Sequence, residues 1–230
     1  MSTTDAACPI CGHDEFERQQ VIWPALAAEW ELSRAEVEYL DEQQGTRCRG
    51  CGANVRSQAL ARGLTRAAGQ PTFAGFARAA TERGQRLLEV NEAGTLTPWL
   101  SALPGHRLVR FPDVDLQRLP FDDAAFDLVV HSDTLEHVAR PAQALAECRR
   151  VLAVGGACVF TVPVVVGRLT RGRDGLPPSY HGSPETRTAD LLVRTEFGAD
   201  VWRWVVEAGF RSCELVPYRF PAGLALIGYR

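Results

Sequence analysis

Two pairs of cysteines, each spaced C-x-x-C, constrain this chain more than any other feature. Cys8-Pro9-Ile10-Cys11-Gly12 and Cys48-Arg49-Gly50-Cys51-Gly52 are short knuckles, in which the glycine after the second cysteine lets the backbone turn so that amide groups face a thiolate. Four thiolates at that spacing suit a tetrahedral zinc ion. The opening Met1-Ser2-Thr3-Thr4-Asp5 has no basic flank leading into an apolar run, so zinc is expected over disulfides. Four sulfur ligands leave no open coordination position, and the ion is read as structural. Cys148, Cys158 and Cys213 stand alone and read as small buried hydrophobes.

The stretch between the knuckles reads as helical. Trp23-Pro24 opens one segment, Ser33-x-x-Glu36 is a capping box for a second, and Leu26, Trp30, Val37 and Leu40 supply apolar contacts. A further helix is expected after Ser57, with Leu60 and Leu64 on one face and Gly69-Gln70-Pro71 at its end. Residues 1–70 are therefore expected to form a small zinc-ribbon-like module with a helical insertion, and residues 71–230 a second domain.

Composition removes several classes of chemistry. All 25 basic residues are arginine, so reactions that need a lysine amine, pyridoxal-phosphate chemistry among them, and a Walker A phosphate loop are excluded. A net charge of -3 argues against tight nucleic-acid binding by the whole chain, although Arg47, Arg49, Arg56, Arg62 and Arg66 could form a local basic patch. At 230 residues and 46% hydrophobic, the chain can bury a core without a disulfide scaffold. No apolar run reaches the roughly 18 residues of a membrane span, and a cytoplasmic location is expected.

From Arg86 onward short apolar runs alternate with helical stretches, which is the pattern of a layered α/β domain. Strands are expected at Leu87–Val90, Arg107–Phe111, Phe126–Val130 and Ala157–Val162, with an amphipathic helix from Pro141 to the Gly155-Gly156 pair. Ser212–Tyr218 and Leu224–Tyr229, joined by Pro221-Ala222-Gly223, read as an antiparallel hairpin. Gly167–Pro184, rich in arginine, proline and glycine, is irregular and is expected to be a lid or substrate loop.

The order Leu87-Leu88-Glu89-Val90, Leu119-Pro120-Phe121-Asp122-Asp123, Phe126-Asp127-Leu128-Val129, Leu135-Glu136-His137-Val138 and Arg150-Val151-Leu152 before Gly155-Gly156 resembles the class I S-adenosylmethionine-dependent methyltransferases, specifically the type 11 branch, over about residues 85–230. The resemblance implies a Rossmann-like, doubly wound sheet of seven strands, mostly parallel with one reversed strand, and S-adenosylmethionine as cofactor. In such sheets the ligand lies across the carboxyl ends of the strands. Carried over to this chain, it implies cofactor contacts at Glu89, Asn91 and Gly94 around the first strand, Asp115 accepting from the adenine amino group with Leu116 beside the ring, and His131 after the third strand. Two departures stand out. Asn91-Glu92-Ala93-Gly94-Thr95 occupies the place of a loop with several glycines, and Phe111-Pro112-Asp113-Val114-Asp115 runs into Leu119 without the usual intervening helix.

Methyl transfer is an in-line displacement, so catalysis is chiefly alignment, with a base required when the acceptor is a hydroxyl. His181, in the irregular loop, is the expected base, and His137 is the second candidate. The expected reaction is methylation of a small-molecule acceptor such as a sugar or secondary metabolite. Two other readings fit the same residues: an RNA methyltransferase whose first module captures the nucleic acid, and a non-catalytic interaction module built on the methyltransferase fold.

Overall fold

The computed structural model describes residues 6–180 and 188–230. The first module runs from the knuckle at Cys8 through strand β1 (Phe16–Arg18), helices α1 (Pro24–Glu29) and α2 (Arg34–Gly45), and strand β2 (Thr46–Cys48), which pairs antiparallel with β1 and enters the second knuckle. Its helices begin where the sequence dictates. Pro24 sits in the first turn of α1, where its missing N–H has no partner to lose. At α2, the Ser33 hydroxyl accepts from the Glu36 amide while the Glu36 carboxylate accepts from the Ser33 amide at 2.7 Å, a complete capping box.

Next come α3 (Val55–Ala67), α4 (Phe73–Glu82), β3 (Leu87–Val90), α5 (Thr97–Leu100), β4 (His106–Val109), β5 (Phe126–Ser132), α6 (Pro141–Val151) and β6 (Leu152–Thr161). Short strands follow at β7 (Val164–Val165), β8 (Arg171–Gly172), β9 (Ser179–Tyr180), β10 (Leu192–Val193) and β11 (Thr195–Gly198), then α7 (Trp202–Glu207) and the hairpin of β12 (Ser212–Tyr218) and β13 (Gly223–Tyr229). Among the described residues no helix is long and apolar enough to cross a membrane.

The central sheet has the order β12-β13-β6-β5-β3-β4. β4, β3, β5 and β6 are parallel and β13 is antiparallel to both its neighbours, giving a mixed sheet with one reversed strand. Successive side chains of a strand face opposite sides, so a strand covered on both faces must be apolar throughout. Leu87, Leu128, Val130, Val159 and Ile227 accordingly lie in one core with α3 and α4, while Leu88, Val129, Phe160 and Leu226 lie in another with α6 and α7.

Three expectations change here. Among the described residues the central sheet has six strands rather than seven: after β4 the chain goes directly through residues 110–125 into β5, too short a path for another strand and its crossover helix. The helix after the second knuckle, grouped with residues 1–70 in the sequence reading, packs on the sheet. A Cβ on its Gly63 would come within 2.7 Å of Val159 Cγ1, so the glycine permits the close approach of α3 to β6. The arginines of the irregular loop are spent inside the protein. Arg168 binds both oxygens of Glu36 (2.9 and 2.8 Å) and the Trp30 carbonyl (2.7 Å). Arg171 pairs with Glu196 at 2.7 Å and Glu31 at 3.1 Å, and Arg173 pairs with Glu196 and, at 3.3 Å, Glu29. This clasp holds α1 and the start of α2 against the carboxyl edge of the sheet.

Arg173 and Glu196 are only 6% and 4% exposed, so removing one partner strands a buried charge. Arg173→Ala is expected to lower stability by about 3–5 kcal/mol in denaturant unfolding. A loss below about 1 kcal/mol, the value of an exposed pair, would mean that the first module docks without the clasp.

Candidate functional site

The two knuckles bring Cys8, Cys11, Cys48 and Cys51 together, with all four sulfurs within 4.8 Å of one another. Cys8 and Cys51 are 3.7 Å apart and Cys11 and Cys48 3.5 Å, without a disulfide. Gly12 and Gly52 hold φ of 78° and 74°, and each amide donates to the carbonyl of the knuckle's first cysteine at 2.8 Å. Sulfurs at about 2.3 Å from a tetrahedral zinc stand roughly 3.8 Å from one another, so the cluster is compatible with that ion. Burial pushes the Cys8 thiol well up and Cys51 up to about 11. Thiolates here call for a cation.

A cleft of about 570 Å³ lies at the carboxyl ends of β3, β4 and β5, and its lining includes Asn91, Asp115, Leu116, Ser132, Thr134 and His137. Asn91 takes a left-handed conformation with φ 56°, one that asparagine adopts at lower cost than most residues. Its Oδ1 accepts from the Phe111 amide at 3.0 Å and its Nδ2 donates to Thr134 Oγ1 at 3.3 Å, so one side chain ties together the ends of three strands. Asp115 Oδ1 accepts from the Gln117 amide at 2.8 Å, which makes the residue a turn cap as well as part of the cleft wall. Leu116 is buried beside it.

Glu89, Gly94 and His131 are not in that lining. Glu89 is 0% exposed and accepts from Ala93 N (2.7 Å), Thr97 Oγ1 (2.5 Å) and the His106 ring (2.6 Å), so it shapes the loop after β3 from behind. Gly94, at φ 59°, lies against Ser57 and Arg56 of α3. His131 is a correction to the sequence reading: β5 continues to Ser132, two residues beyond the expected end, so His131 is a strand residue, fully buried and stacked on Phe160 at 4.8 Å beside Cys148 and Cys158. His137 does reach the cleft, with Nδ1 3.1 Å from the Leu192 carbonyl. His181 lies outside the described residues.

Sequence reasoning missed the second half of the site. A cavity of about 390 Å³, walled on one side by residues 21–32, adjoins the first cleft, and the linings of both include Arg56, Asp133, His137 and Leu191. Asp133, at φ 43°, pairs with Arg56 and accepts from Gln44 Nε2 at 2.9 Å. Asp133 belongs to the dense titratable segment after β5, which was a signal. Its pairing with an arginine from α3 had none.

Comparison with known proteins follows this geometry. Residues 48–160 match a family described as a methyltransferase domain. A Mycolicibacterium smegmatis protein described as a probable S-adenosylmethionine-dependent methyltransferase is 35% identical over 136 residues, covering 56% of this chain and 48% of that protein. An uncharacterised 37.1 kDa transposon protein from Streptomyces fradiae is 35% identical over 109 residues, covering 45% of this chain and 29% of its own length. The chain thus spans less than half the length of either curated relative. Among solved structures, a methyltransferase from Aquifex aeolicus aligns with TM-score 0.41 and 12% identity over 66% of this chain and 87% of its own. One from Thermotoga maritima gives 0.39 and 13% over 63% and 81%. Over residues 48–160, this chain is therefore similar to a methyltransferase domain, and a relative described as a probable S-adenosylmethionine-dependent enzyme shares 35% of its residues over 136 positions.

Proposed function

We propose that the protein transfers a methyl group from S-adenosylmethionine to a hydroxyl of a small molecule, and that the four cysteines hold a structural zinc ion. The observation that carries the reading is the cleft across the ends of β3, β4 and β5, opening onto a second cavity through residues common to both. Its volume lies within the range of ordinary ligand sites. S-adenosylmethionine supplies an electrophilic methyl carbon on a sulfonium sulfur. On this reading Asn91 shapes the methionine end of the cleft, while Asp115 and Leu116 hold the adenine by a hydrogen bond and by apolar contact.

His137 is the base of this proposal. A carbonyl can only accept, so Nδ1 carries the proton that it donates to Leu192, and Nε2, the other ring nitrogen, stands 3.7 Å from the buried Glu136 carboxylate. With S-adenosylmethionine bound, which would supply the electrophilic methyl carbon, the acceptor hydroxyl would give its proton to His137 Nε2, where the Glu136 carboxylate would stabilise the imidazolium. Three of the five arginines of the expected RNA patch are engaged within the protein: Arg56 with Asp133, Arg66 with Glu214 at 2.6 Å, and Arg62 over the Tyr218 ring at 4.9 Å. That weighs against RNA capture by the first module.

Calorimetric titration should show saturable binding of S-adenosylmethionine, and neither heat nor a thermal shift at high ligand concentration would sink the enzymatic reading. Asp115→Ala should weaken that binding about tenfold with little change in melting temperature; unchanged affinity would put the adenine elsewhere. Replacing Cys8 and Cys11 together with serine should release zinc, read by metal analysis, and lower the melting temperature. Retention of the metal in that variant would contradict the four-thiolate site.

A further inference from the structure

The second cavity has two chemically opposite walls. One is apolar and comes from the first module: Ile22, Trp23, Leu26 and Leu32, with Trp30 behind them. The Trp30 indole N–H is already given to Ser179 Oγ at 2.8 Å. The other wall is a hydrogen-bonded chain: Asn54 Nδ2 donates to Gln44 Oε1 at 3.4 Å, Gln44 Nε2 donates to Asp133 at 2.9 Å, and Arg56 pairs with the same carboxylate. Arg56, Asp133 and His137 also line the first cleft. Of the four residues that line both, three are polar and one, Leu191, is apolar, so the junction with the cofactor cleft lies mainly along the polar side.

That arrangement specifies an amphipathic ligand. We infer that the methyl acceptor is a compact phenol-like compound, with an aromatic body against residues 21–32 and a hydroxyl directed to the polar wall. The inference rests on the methyl-transfer reading and names its substrate class. The cavity, at about 390 Å³, is at the small end of ligand sites, enough for one or two fused rings. A sugar, the acceptor first expected, carries hydroxyls around its whole ring. Several of them would face Ile22, Leu26 and Leu32, and each buried hydroxyl left without a partner costs about 1–3 kcal/mol. A phenol or naphthol has one polar end and two apolar faces, and its ring can pack against the Trp23 indole.

The test uses the full chain and labelled S-adenosylmethionine, with substituted phenols and naphthols, monosaccharides and a short single-stranded RNA as acceptors. The phenols and naphthols are expected to accept label with kcat/KM about 100-fold above the sugars, and the RNA to accept none. Trp23→Ala should raise KM for 2-naphthol about tenfold while S-adenosylmethionine affinity, measured on the same preparation, stays within about twofold; Trp23→Phe should restore the KM. Should Trp23→Ala fail to fold, Leu32→Ala on the same wall carries the same expectation. Equal or better transfer to sugars or RNA overturns the inference, as does a KM for 2-naphthol that neither variant moves. Normal cofactor binding without transfer to any phenol overturns it too, whereas loss of cofactor binding in the unmodified protein falls on the methyl-transfer reading itself.

Discussion

The ion pair between Arg173 and Glu196, almost sealed from water, anchors a clasp whose arginines reach the first module at Glu36, Glu31 and Glu29. Burying two charges is costly unless every lone pair and proton finds a partner. Here Arg173 also donates to the Pro177 carbonyl at 2.8 Å and Glu196 takes a second guanidinium from Arg171, although the buried Arg173 Nε finds no partner among the described residues. Arg168 completes the clasp with two carboxylate oxygens and a carbonyl. A lysine ammonium, a compact point charge, does not match the planar fork that lets one guanidinium span a carboxylate and a neighbouring carbonyl. The absence of lysine from the chain is thus no handicap to this part of the fold. Without the clasp, residues 21–32 would be held over the sheet by the packing of Leu26 and Trp30 on Val165 and Val193 and by the Trp30–Ser179 hydrogen bond, and the second cavity's apolar wall would be less firmly placed.

A similar economy governs the loop after β3. Where glycines would give a loop the freedom to approach a ligand, this chain uses fixed hydrogen bonds. Glu89 gathers three donors at once, and Asn91 adopts a left-handed backbone while both ends of its side chain bridge to neighbouring strands. The cleft wall is therefore set before any ligand arrives, which lowers the ordering cost of binding. Glu89 was expected to touch a cofactor; its position one layer behind the wall lets it act on the cleft through the loop.

The legible parts of the fold were those with a local physical signature: the knuckle glycines, the capping box at Ser33, the doubly apolar strands and the C-terminal hairpin. What sequence could not show depends on partners far apart in the chain. An apolar stripe on α3 says that the helix buries one face, not that the face meets β6 and β13. His131 looked like a loop residue because the period-2 pattern does not mark where a strand ends, and a two-residue extension turned it inward. The stretch Gly167–Pro184 read as a lid or substrate loop because a run of arginines among prolines and glycines carries no sign of the carboxylates, more than a hundred residues earlier for Glu29, Glu31 and Glu36, that pair with Arg173, Arg171 and Arg168.

The cysteine cluster is tied to the second cavity by a short path of bonds and contacts. Arg47 and Asn54 flank the second knuckle, pair with each other as an isolated bridge, and both line the second cavity. Between them, the Cys48 amide donates to Ala53 O at 2.9 Å and the Gly52 amide to Cys48 O at 2.8 Å, so the knuckle's geometry sets where Asn54 stands. Asn54 then caps α3 through Ser57 N at 2.9 Å, and α3 carries Arg56 to Asp133. A metal at the four thiolates would fix the start of this chain of contacts, and the polar wall of the cavity is its end. Such an ion would have no open coordination site and would take no part in the chemistry, yet it would stand only a few bonds from the residues that would orient the acceptor. On the methyl-transfer proposal, the first module would be the part of the site that chooses the acceptor rather than a separate binding domain.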